Sequence, residues 1–204
     1  MPDFSYERDA AKAGSARICG VDEAGRGPLA GPVVAAAVVL DAKVLQAPVW
    51  QQLDDSKRMR ATSRDTLFTA IMESADVGVG ISDVDEIERL NILGATMQAM
   101  SKAVAGLNPL PDLALIDGNR KPVLACEAIT IVKGDAKSLS IAAASVIAKV
   151  TRDRIMAALA EQFPGYGWER NMGYGTAEHM AALTRLGVTP AHRQGFAPVR
   201  NLLR

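Results

Sequence analysis

The amino-acid sequence predicts an α/β fold, in which a mixed β-sheet is flanked by helices and followed by a short helical C-terminal lobe. Two observations support this class. Short apolar runs with the length of strands come first in the chain, and further runs then alternate with longer segments that begin at capping residues. Strands that alternate with helices are typical of α/β proteins. A glycine-rich stretch after Phe163 introduces the C-terminal lobe.

Five segments are predicted as strands, because each is short, apolar and bounded by turn residues or by a helix signal. In chain order they span residues 18–22, 32–40, 77–81, 113–116 and 128–132. The first run ends at a glycine-rich loop and the second follows directly, which predicts that these two strands are neighbours in the sheet.

Four helices are predicted from their capping signals. Asp83 is expected to cap a long helix that runs to about residue 105, with Glu86 three positions later as its capping-box partner. Gly106 and Pro109 mark the end of that helix. The other helices are expected to begin at Thr62 or Ser63, at Ser138 or Ser140 and at Thr176, and to run to about residues 74, 163 and 186.

The charges are distributed unevenly, although the formal net charge of the 204-residue chain is zero. A histone-like polycation is therefore excluded. Lys57, Arg58, Arg60 and Arg64 form one basic stretch, residues 133–154 hold five bases against two acids, and residues 73–88 hold six acids and no base. This distribution suits a polyanion bound on one face, but each stretch is also typical of a solvated helix face.

The sequence predicts a cytoplasmic, monomeric protein that does not enter a membrane. Residues 1–14 are polar and lack the apolar segment of a secretory signal. The longest apolar run, residues 33–40, is far shorter than the ~20 residues that a membrane-spanning helix needs. Cys19 and Cys126 are too few for a disulfide scaffold, and we interpret them as buried thiols of a cytosolic protein.

Four acidic residues follow predicted strands. Asp22 and Glu23 end the first strand, Asp117 ends the fourth, and Asp135 follows the fifth. Ligands gather at the carboxyl ends of strands in α/β sheets, so these carboxylates are expected to converge. Four converging carboxylates repel one another unless cations neutralise them, and oxygen ligands suit Mg²⁺ or Mn²⁺. A carboxylate-held metal pair activates water for phosphodiester cleavage.

Each acid also has a purely structural interpretation. Asp117-Gly118-Asn119 is an ordinary turn signal. Asp135 is equally typical of a solvated loop, and Asp22 with Glu23 of charged residues that close a strand. The spacing alone indicates a carboxylate metal site and leaves its substrate open.

Residues 20–33, with the sequence GVDEAGRGPLAGPV, resemble the signature of the bacterial ribonuclease HII family, the type 2 ribonucleases H. Further similar motifs follow in order between about residues 17 and 200, so the resemblance covers nearly the whole chain. They are Asp55-Ser56-Lys57, Leu90-Asn91-Ile92, Leu115-Ile116-Asp117-Gly118-Asn119, Lys133-Gly134-Asp135, Ala143-Ala144-Ser145, Ala148-Lys149 with Arg152-Asp153, and Gly173-Tyr174. The chain departs from the usual family residues at Ala136, Met172, Gly175 and Gly195.

The resemblance implies a ribonuclease H-like catalytic core over residues 15–165, with residues 166–204 as a helical lobe packed on it in one structural unit. It implies that Asp22, Glu23, Asp117 and Asp135 are the catalytic residues and hold two Mg²⁺ or Mn²⁺ ions. The two histidines, His179 and His192, are expected to be structural or solvent-facing.

The resemblance also implies substrate contacts. Gly25, Arg26 and Gly27 are expected to meet the sugar of the ribonucleotide, with backbone groups reading the 2′-OH, which distinguishes RNA from DNA. Tyr174 is expected to pack on the adjoining deoxyribose. Ser56 and Lys57 are expected to contact substrate, with the lysine at a phosphate.

The activity implied is that of an endoribonuclease acting on the RNA strand of RNA–DNA hybrids and on the 5′ side of ribonucleotides embedded in duplex DNA, leaving 3′-hydroxyl and 5′-phosphate ends. One alternative is a metal-dependent DNA nuclease or strand-transfer enzyme on a related fold. Another is a non-catalytic hybrid-binding module. The presence of all four acids argues against the second alternative, because gathered negative charge opposes phosphate binding.

Overall fold

The computed structural model describes residues 1–43, 48–53 and 61–203. It contains one five-stranded sheet, whose strands are β1 (Ile18–Ala24), β2 (Val33–Val39), β3 (Asp76–Ser82), β4 (Leu113–Asp117) and β5 (Glu127–Ile131). The strand order is β3-β2-β1-β4-β5. The pairs β1–β2 and β2–β3 are antiparallel, whereas β1–β4 and β4–β5 are parallel. The predicted mixed sheet is confirmed.

Seven α-helices are present in the described part of the chain. They are α1 (Ser5–Lys12), α2 (Ala61–Ser74), α3 (Val84–Ala105), α4 (Leu139–Gln162), α5 (Trp168–Asn171), α6 (Ala177–Leu186) and α7 (Ala197–Arg200). The same described residues include 3₁₀ turns at Pro48–Gln52 and Gly134–Ala136. The capping box of Asp83 and Glu86 is present as predicted, and Ser138 and Thr176 cap α4 and α6.

The sheet separates two apolar layers, because successive side chains of a strand point to opposite faces. Val33, Ala35 and Ala37 of β2 pack against α3. Ala36 and Val38 pack on the other face, against α2 and α4. A Cβ on Gly20 of β1 would lie 2.1 Å from the backbone carbon of Ser140, so glycine there lets the start of α4 approach β1 closely.

Helix α1 was not predicted from the sequence, and a buried glutamate anchors it. Glu7 is 3% exposed. Its Oε1 accepts hydrogen bonds from the Ser140 backbone N–H at 2.9 Å and from the Ser138 hydroxyl at 2.6 Å. A carboxylate at a helix N-terminus is favourable, because the amide groups there lack intrahelical partners. This contact joins α1 to the start of α4.

The segments that follow α4 pack on the rest of the molecule through a third apolar cluster. Trp168 of α5, Leu183 of α6 and Val199 of α7 contact the same buried group as Leu29 and Met156. The last helices therefore cover the far end of α4 and the loop between β1 and β2. Among the described helices, none has both the length and the apolar character needed to cross a membrane.

Candidate active site

Three acidic side chains meet at one edge of the sheet. Asp22 and Glu23 lie near the end of β1, and Asp117 is the last residue of β4. Because β1 and β4 are parallel neighbours, their carboxyl ends lie side by side. Within the described ranges, Asp22, Glu23 and Asp117 each offer a carboxylate oxygen, and these oxygens lie within 4.8 Å of one another.

Backbone groups hold two of these carboxylates in place. The Glu23 N–H donates to Asp22 Oδ1 at 2.7 Å. The Gly134 N–H donates to Asp117 Oδ1 at 2.6 Å, which ties the end of β4 to the segment after β5. Both acids are therefore oriented by the fold before any cation binds.

The electrostatics of the cluster favour a bound cation. Asp22 is only 4% exposed. Burial raises its pKa well above the ordinary value, and the negative charges of Glu23, Asp117 and Asp135 raise the pKa further. An oxygen-only donor set with mutually repelling charges fits a hard divalent ion such as Mg²⁺ or Mn²⁺, whose charge offsets the repulsion.

Asp135 lies in the 3₁₀ turn Gly134–Ala136, after β5. It is half-buried and falls outside the three-acid group defined above. Its charge nevertheless raises the pKa of Asp22, so it acts on the same site. The neighbouring Gly134 is the residue that donates to Asp117, which keeps this turn next to the cluster.

A cleft of about 520 Å³ opens beside the acids. It is lined by two of the carboxylates, by the predicted sugar-contacting loop and by the predicted junction tyrosine: Glu23, Asp117, Gly25, Arg26, Gly27 and Tyr174. The structure therefore brings these predicted site residues together. Ser56 and Lys57, together with the basic residues Arg58 and Arg60, lie outside the described residues.

The loop and the tyrosine face each other across a short distance. Arg26 is exposed and pairs with Glu23, with Nη1 at 3.1 Å from Oε1. A Cβ built on Gly27 would lie 3.5 Å from Tyr174 Cε1. The side chain of Tyr174 is 47% exposed, which is high for a large aromatic residue and leaves its ring available to a ligand.

Three further residues line the cleft, Ile92, Lys149 and Arg152, and the sequence analysis did not assign them individual roles. All three lie within motifs that are similar to those of the family, and these motifs could have identified them. Asn91 interrupts α3 with a φ of 57°, and its Oδ1 accepts a hydrogen bond from the Leu93 N–H at 2.9 Å. Ile92, directly after this kink, lines the cleft.

A five-stranded mixed sheet of this order, with carboxylates gathered at the ends of β1 and β4, defines a metal-dependent nuclease with the ribonuclease H-like fold. Comparison with known proteins agrees. The sequence model of the ribonuclease HII family matches residues 19–199. The chain belongs to the ribonuclease HII family, and the resemblance inferred from its motifs is confirmed.

Relatives of high identity carry the same name. Ribonuclease HII from Rhodospirillum rubrum is 58% identical over 205 residues, covering 100% of this chain and 92% of the relative. Ribonuclease HII from Parvibaculum lavamentivorans is 55% identical over 204 residues, covering 100% of this chain and 74% of the relative. Family membership makes the chain a ribonuclease H, an endoribonuclease that acts on RNA–DNA hybrids.

Two solved structures confirm the predicted fold. Ribonuclease H2 from Pyrococcus horikoshii OT3 matches with a TM-score of 0.74 and 27% identity, covering 91% of this chain and 96% of that one. Bst-RNase HIII in complex with Mn²⁺ matches with a TM-score of 0.70 and 22% identity, covering 95% of this chain and 71% of that one.

Proposed function

We propose that the enzyme cuts the phosphodiester bond on the 5′ side of a ribonucleotide, both in RNA–DNA hybrids and at single ribonucleotides embedded in duplex DNA. The products are 3′-hydroxyl and 5′-phosphate ends. One observation carries this proposal: the acids at the ends of β1 and β4 share a cleft with the loop at residues 25–27 and with Tyr174. A group that contacts the sugar there is next to the groups that hold the metal.

We assign the metal site to Asp22, Glu23, Asp117 and Asp135. Two bound Mg²⁺ or Mn²⁺ ions would supply an activated water and would stabilise the leaving oxygen. The backbone donors of Glu23 and Gly134 orient the acceptor lone pairs of Asp22 and Asp117 and leave the second oxygen of each carboxylate for a ligand. The same-fold structure of Bst-RNase HIII in complex with Mn²⁺ supports this choice of ion.

We assign recognition of the ribose to the backbone of Gly25, Arg26 and Gly27. The 2′-OH both donates and accepts hydrogen bonds, so polar backbone groups can bind it and a deoxyribose leaves them unpaired. Tyr174, opposite Gly27, offers an apolar ring face to the neighbouring deoxyribose. Ser56 and Lys57 are assigned to substrate contact, the lysine at a phosphate, where they position the duplex without reading sequence.

The C-terminal segment supports this arrangement. We propose that residues 166–204 act as a lobe that carries Tyr174 to the cleft, since α5, α6 and α7 pack on the end of α4 through Trp168, Leu183 and Val199. We further propose that the enzyme works as a monomer in the cytoplasm, where duplex DNA and RNA–DNA hybrids are present in bacteria.

The test is cleavage of a labelled DNA duplex that contains one ribonucleotide. It is run with Mg²⁺, with Mn²⁺ or with EDTA, beside a matched all-DNA duplex and an RNA–DNA hybrid. We expect metal-dependent cutting of the hybrid and of the ribonucleotide duplex, with ends that a polymerase extends on the 3′ side and a ligase accepts on the 5′ side.

The same assay separates the alternatives. Efficient cutting of the all-DNA duplex would identify a DNA nuclease. Binding of the hybrid with no cleavage in either metal would identify a binding module. Products with a 3′-phosphate would contradict the assigned position of the cut.

A further inference from the structure

Two buried arginines lie beneath the loop that joins β1 to β2. Arg152 of α4 is 1% exposed, and Arg193, between α6 and α7, is 0% exposed. In the described ranges neither guanidinium is within ion-pair distance of a carboxylate. Both donate instead to backbone carbonyl groups, most of which belong to residues 25–32.

Arg193 binds four carbonyl groups of this loop. Its Nη2 donates to Gly25 O at 2.6 Å and to Pro32 O at 3.2 Å, its Nη1 to Arg26 O at 3.1 Å, and its Nε to Gly31 O at 2.9 Å. One planar side chain therefore holds both ends of the loop. Arg193 and Gly25 are 168 residues apart in the sequence.

Arg152 completes the support from the side of α4. Its Nε donates to Pro32 O at 3.0 Å and its Nη2 to Ala30 O at 3.1 Å. Its Nη1 donates to Met172 O at 3.0 Å, two residues before Tyr174. A Cβ on Gly25 would lie 2.0 Å from Arg152 Nε, so the loop rests directly on this side chain.

Burying two charged side chains has a desolvation cost that lowers the stability of the folded protein. Burial lowers the pKa of Arg152 to about 10, and burial together with the charge of Arg152 lowers the pKa of Arg193 to about 9. Both groups stay protonated at neutral pH. Apolar side chains of similar volume often stabilise a protein as well as buried charges do, so the arginines need a reason beyond packing.

That reason follows from the geometry of the peptide units. The peptide bonds of the loop are trans, so the N–H of each residue points opposite to the preceding carbonyl group. Gly25 O and Arg26 O point inward to Arg193. The N–H groups of Arg26 and Gly27 therefore point outward, on the exposed side of the loop.

These two N–H groups are available to a ligand. Neither donates a hydrogen bond to any group in the described part of the chain. Arg26 and Gly27 are exposed, and both line the cleft beside Glu23. Two adjacent, outward amide donors next to the carboxylate cluster suit an oxygen acceptor of the substrate at the reacting nucleotide.

We propose that Arg193, supported by Arg152, is a positioning residue for recognition of the ribonucleotide. By fixing the carbonyl groups of Gly25 and Arg26 it directs the N–H groups of Arg26 and Gly27 at the 2′-oxygen of the ribose. Arg193 is fully buried and acts only through the loop. This inference rests on the proposed role of residues 25–27 at the sugar.

The test is the Arg193→Lys variant, which keeps the positive charge and loses the planar fork of donors. We expect kcat/KM on the single-ribonucleotide duplex to fall ~10²-fold, since displacement of a recognition group by about 1 Å costs that much. We also measure affinities by fluorescence anisotropy in EDTA, where no cleavage occurs. In the wild type we expect a higher affinity for the ribonucleotide duplex than for the all-DNA duplex. In Arg193→Lys the ratio of these two affinities should fall to about one, while the affinity for the all-DNA duplex is retained.

The control variant is Leu183→Ala, which creates a cavity in the apolar cluster of the C-terminal segment and removes no hydrogen bond to the loop. It should lower the melting temperature and keep the preference. An unchanged preference in Arg193→Lys, or an equal loss in Leu183→Ala, would overturn the inference. If Arg193→Lys does not fold, Arg193→Gln is measured with the same criteria. If the wild type itself shows no preference for the ribonucleotide duplex, the proposed contact of residues 25–27 with the sugar is wrong, and the inference about Arg193 fails with it.

Discussion

The Nε2 atom of His192 lies 3.2 Å from the Nε2 atom of His179, and their neighbours determine which ring nitrogens carry protons. The Thr189 N–H donates to His192 Nδ1, so the proton of His192 is on Nε2. His179 Nδ1 donates to Tyr174 O, so His179 Nε2 accepts from both His192 and Trp168. This network is satisfied only with both rings neutral, and it ties the backbone of Tyr174 to α6.

The first prediction is that the protein loses stability as the pH falls below about 6.5. Burial, together with the proximity of His179, lowers the pKa of His192 from 6.5 to about 4 in the folded state. Between these values the unfolded chain binds a proton that the folded chain does not, so acid favours unfolding. The melting temperature should therefore decrease between pH 6.5 and pH 4.

The matched variant for this prediction is His192→Gln, which retains a donor toward His179 and does not titrate. Its melting temperature should depend less on pH than that of the wild type in this window. Asp22 has the opposite effect on the pH dependence of stability, because a carboxyl group whose pKa is raised in the folded state stabilises that state as the pH falls. Equal slopes in the two proteins would show that His192 does not titrate on unfolding.

The second prediction concerns Asp117. Asp117→Asn retains an oxygen that can accept the Gly134 N–H and removes one negative charge from the cluster. We expect the cleavage rate to fall by at least ~10³, roughly 4 kcal/mol of activation barrier. Stability should be unchanged or improved, since the charge of Asp117 helps to raise the pKa of Asp22.

The measurement is single-turnover cleavage with Mg²⁺, beside thermal unfolding without metal. Asp9→Asn, the same substitution at an exposed position on α1, serves as the control and should leave the rate unchanged. Near-normal turnover of Asp117→Asn with an unchanged melting temperature would remove Asp117 from the metal site.

Local signals predicted most of this fold, because strand length and helix caps depend on residues close in sequence. The cap at Asp83 and the carboxylates at the ends of β1 and β4 are examples. The support of the loop by Arg193 depends on a contact across 168 positions, which no local pattern encodes. The anchoring of α1 through Glu7 similarly joins residues 133 positions apart.

The third prediction concerns Lys57, which lies outside the described residues. If Lys57 contacts a phosphate, Lys57→Ala should make the slope of log affinity against log salt shallower by about one contact. The change should be equal for DNA and hybrid duplexes, because phosphates are common to both. Lys12→Ala, at an exposed lysine of α1 that does not line the cleft, is the control. A loss of affinity confined to the ribonucleotide-containing duplex would show that Lys57 recognises the ribose and not a phosphate.

The fourth prediction separates two glycines of the loop. Gly25 has a φ of 96°, and a Cβ there would lie 2.0 Å from Arg152 Nε and 2.8 Å from Pro32 O. Gly25→Ala should therefore displace the loop and destabilise the protein. A Cβ on Gly27 would meet only Tyr174, at an ordinary contact distance of 3.5 Å, and should be accommodated in the fold. Gly27→Ala should keep the melting temperature of the wild type.

Activity should nevertheless fall severely in Gly27→Ala, because the added methyl group occupies the exposed side of the loop where the sugar must approach its N–H. Arg26→Ala should be milder if the backbone reads the 2′-OH, since it removes a side chain and keeps the amide. The measurement is cleavage of matched duplexes with one ribonucleotide, one 2′-O-methyl nucleotide or neither. Normal cutting by Gly27→Ala, with discrimination lost in Arg26→Ala, would show that the arginine side chain reads the sugar and that the backbone does not.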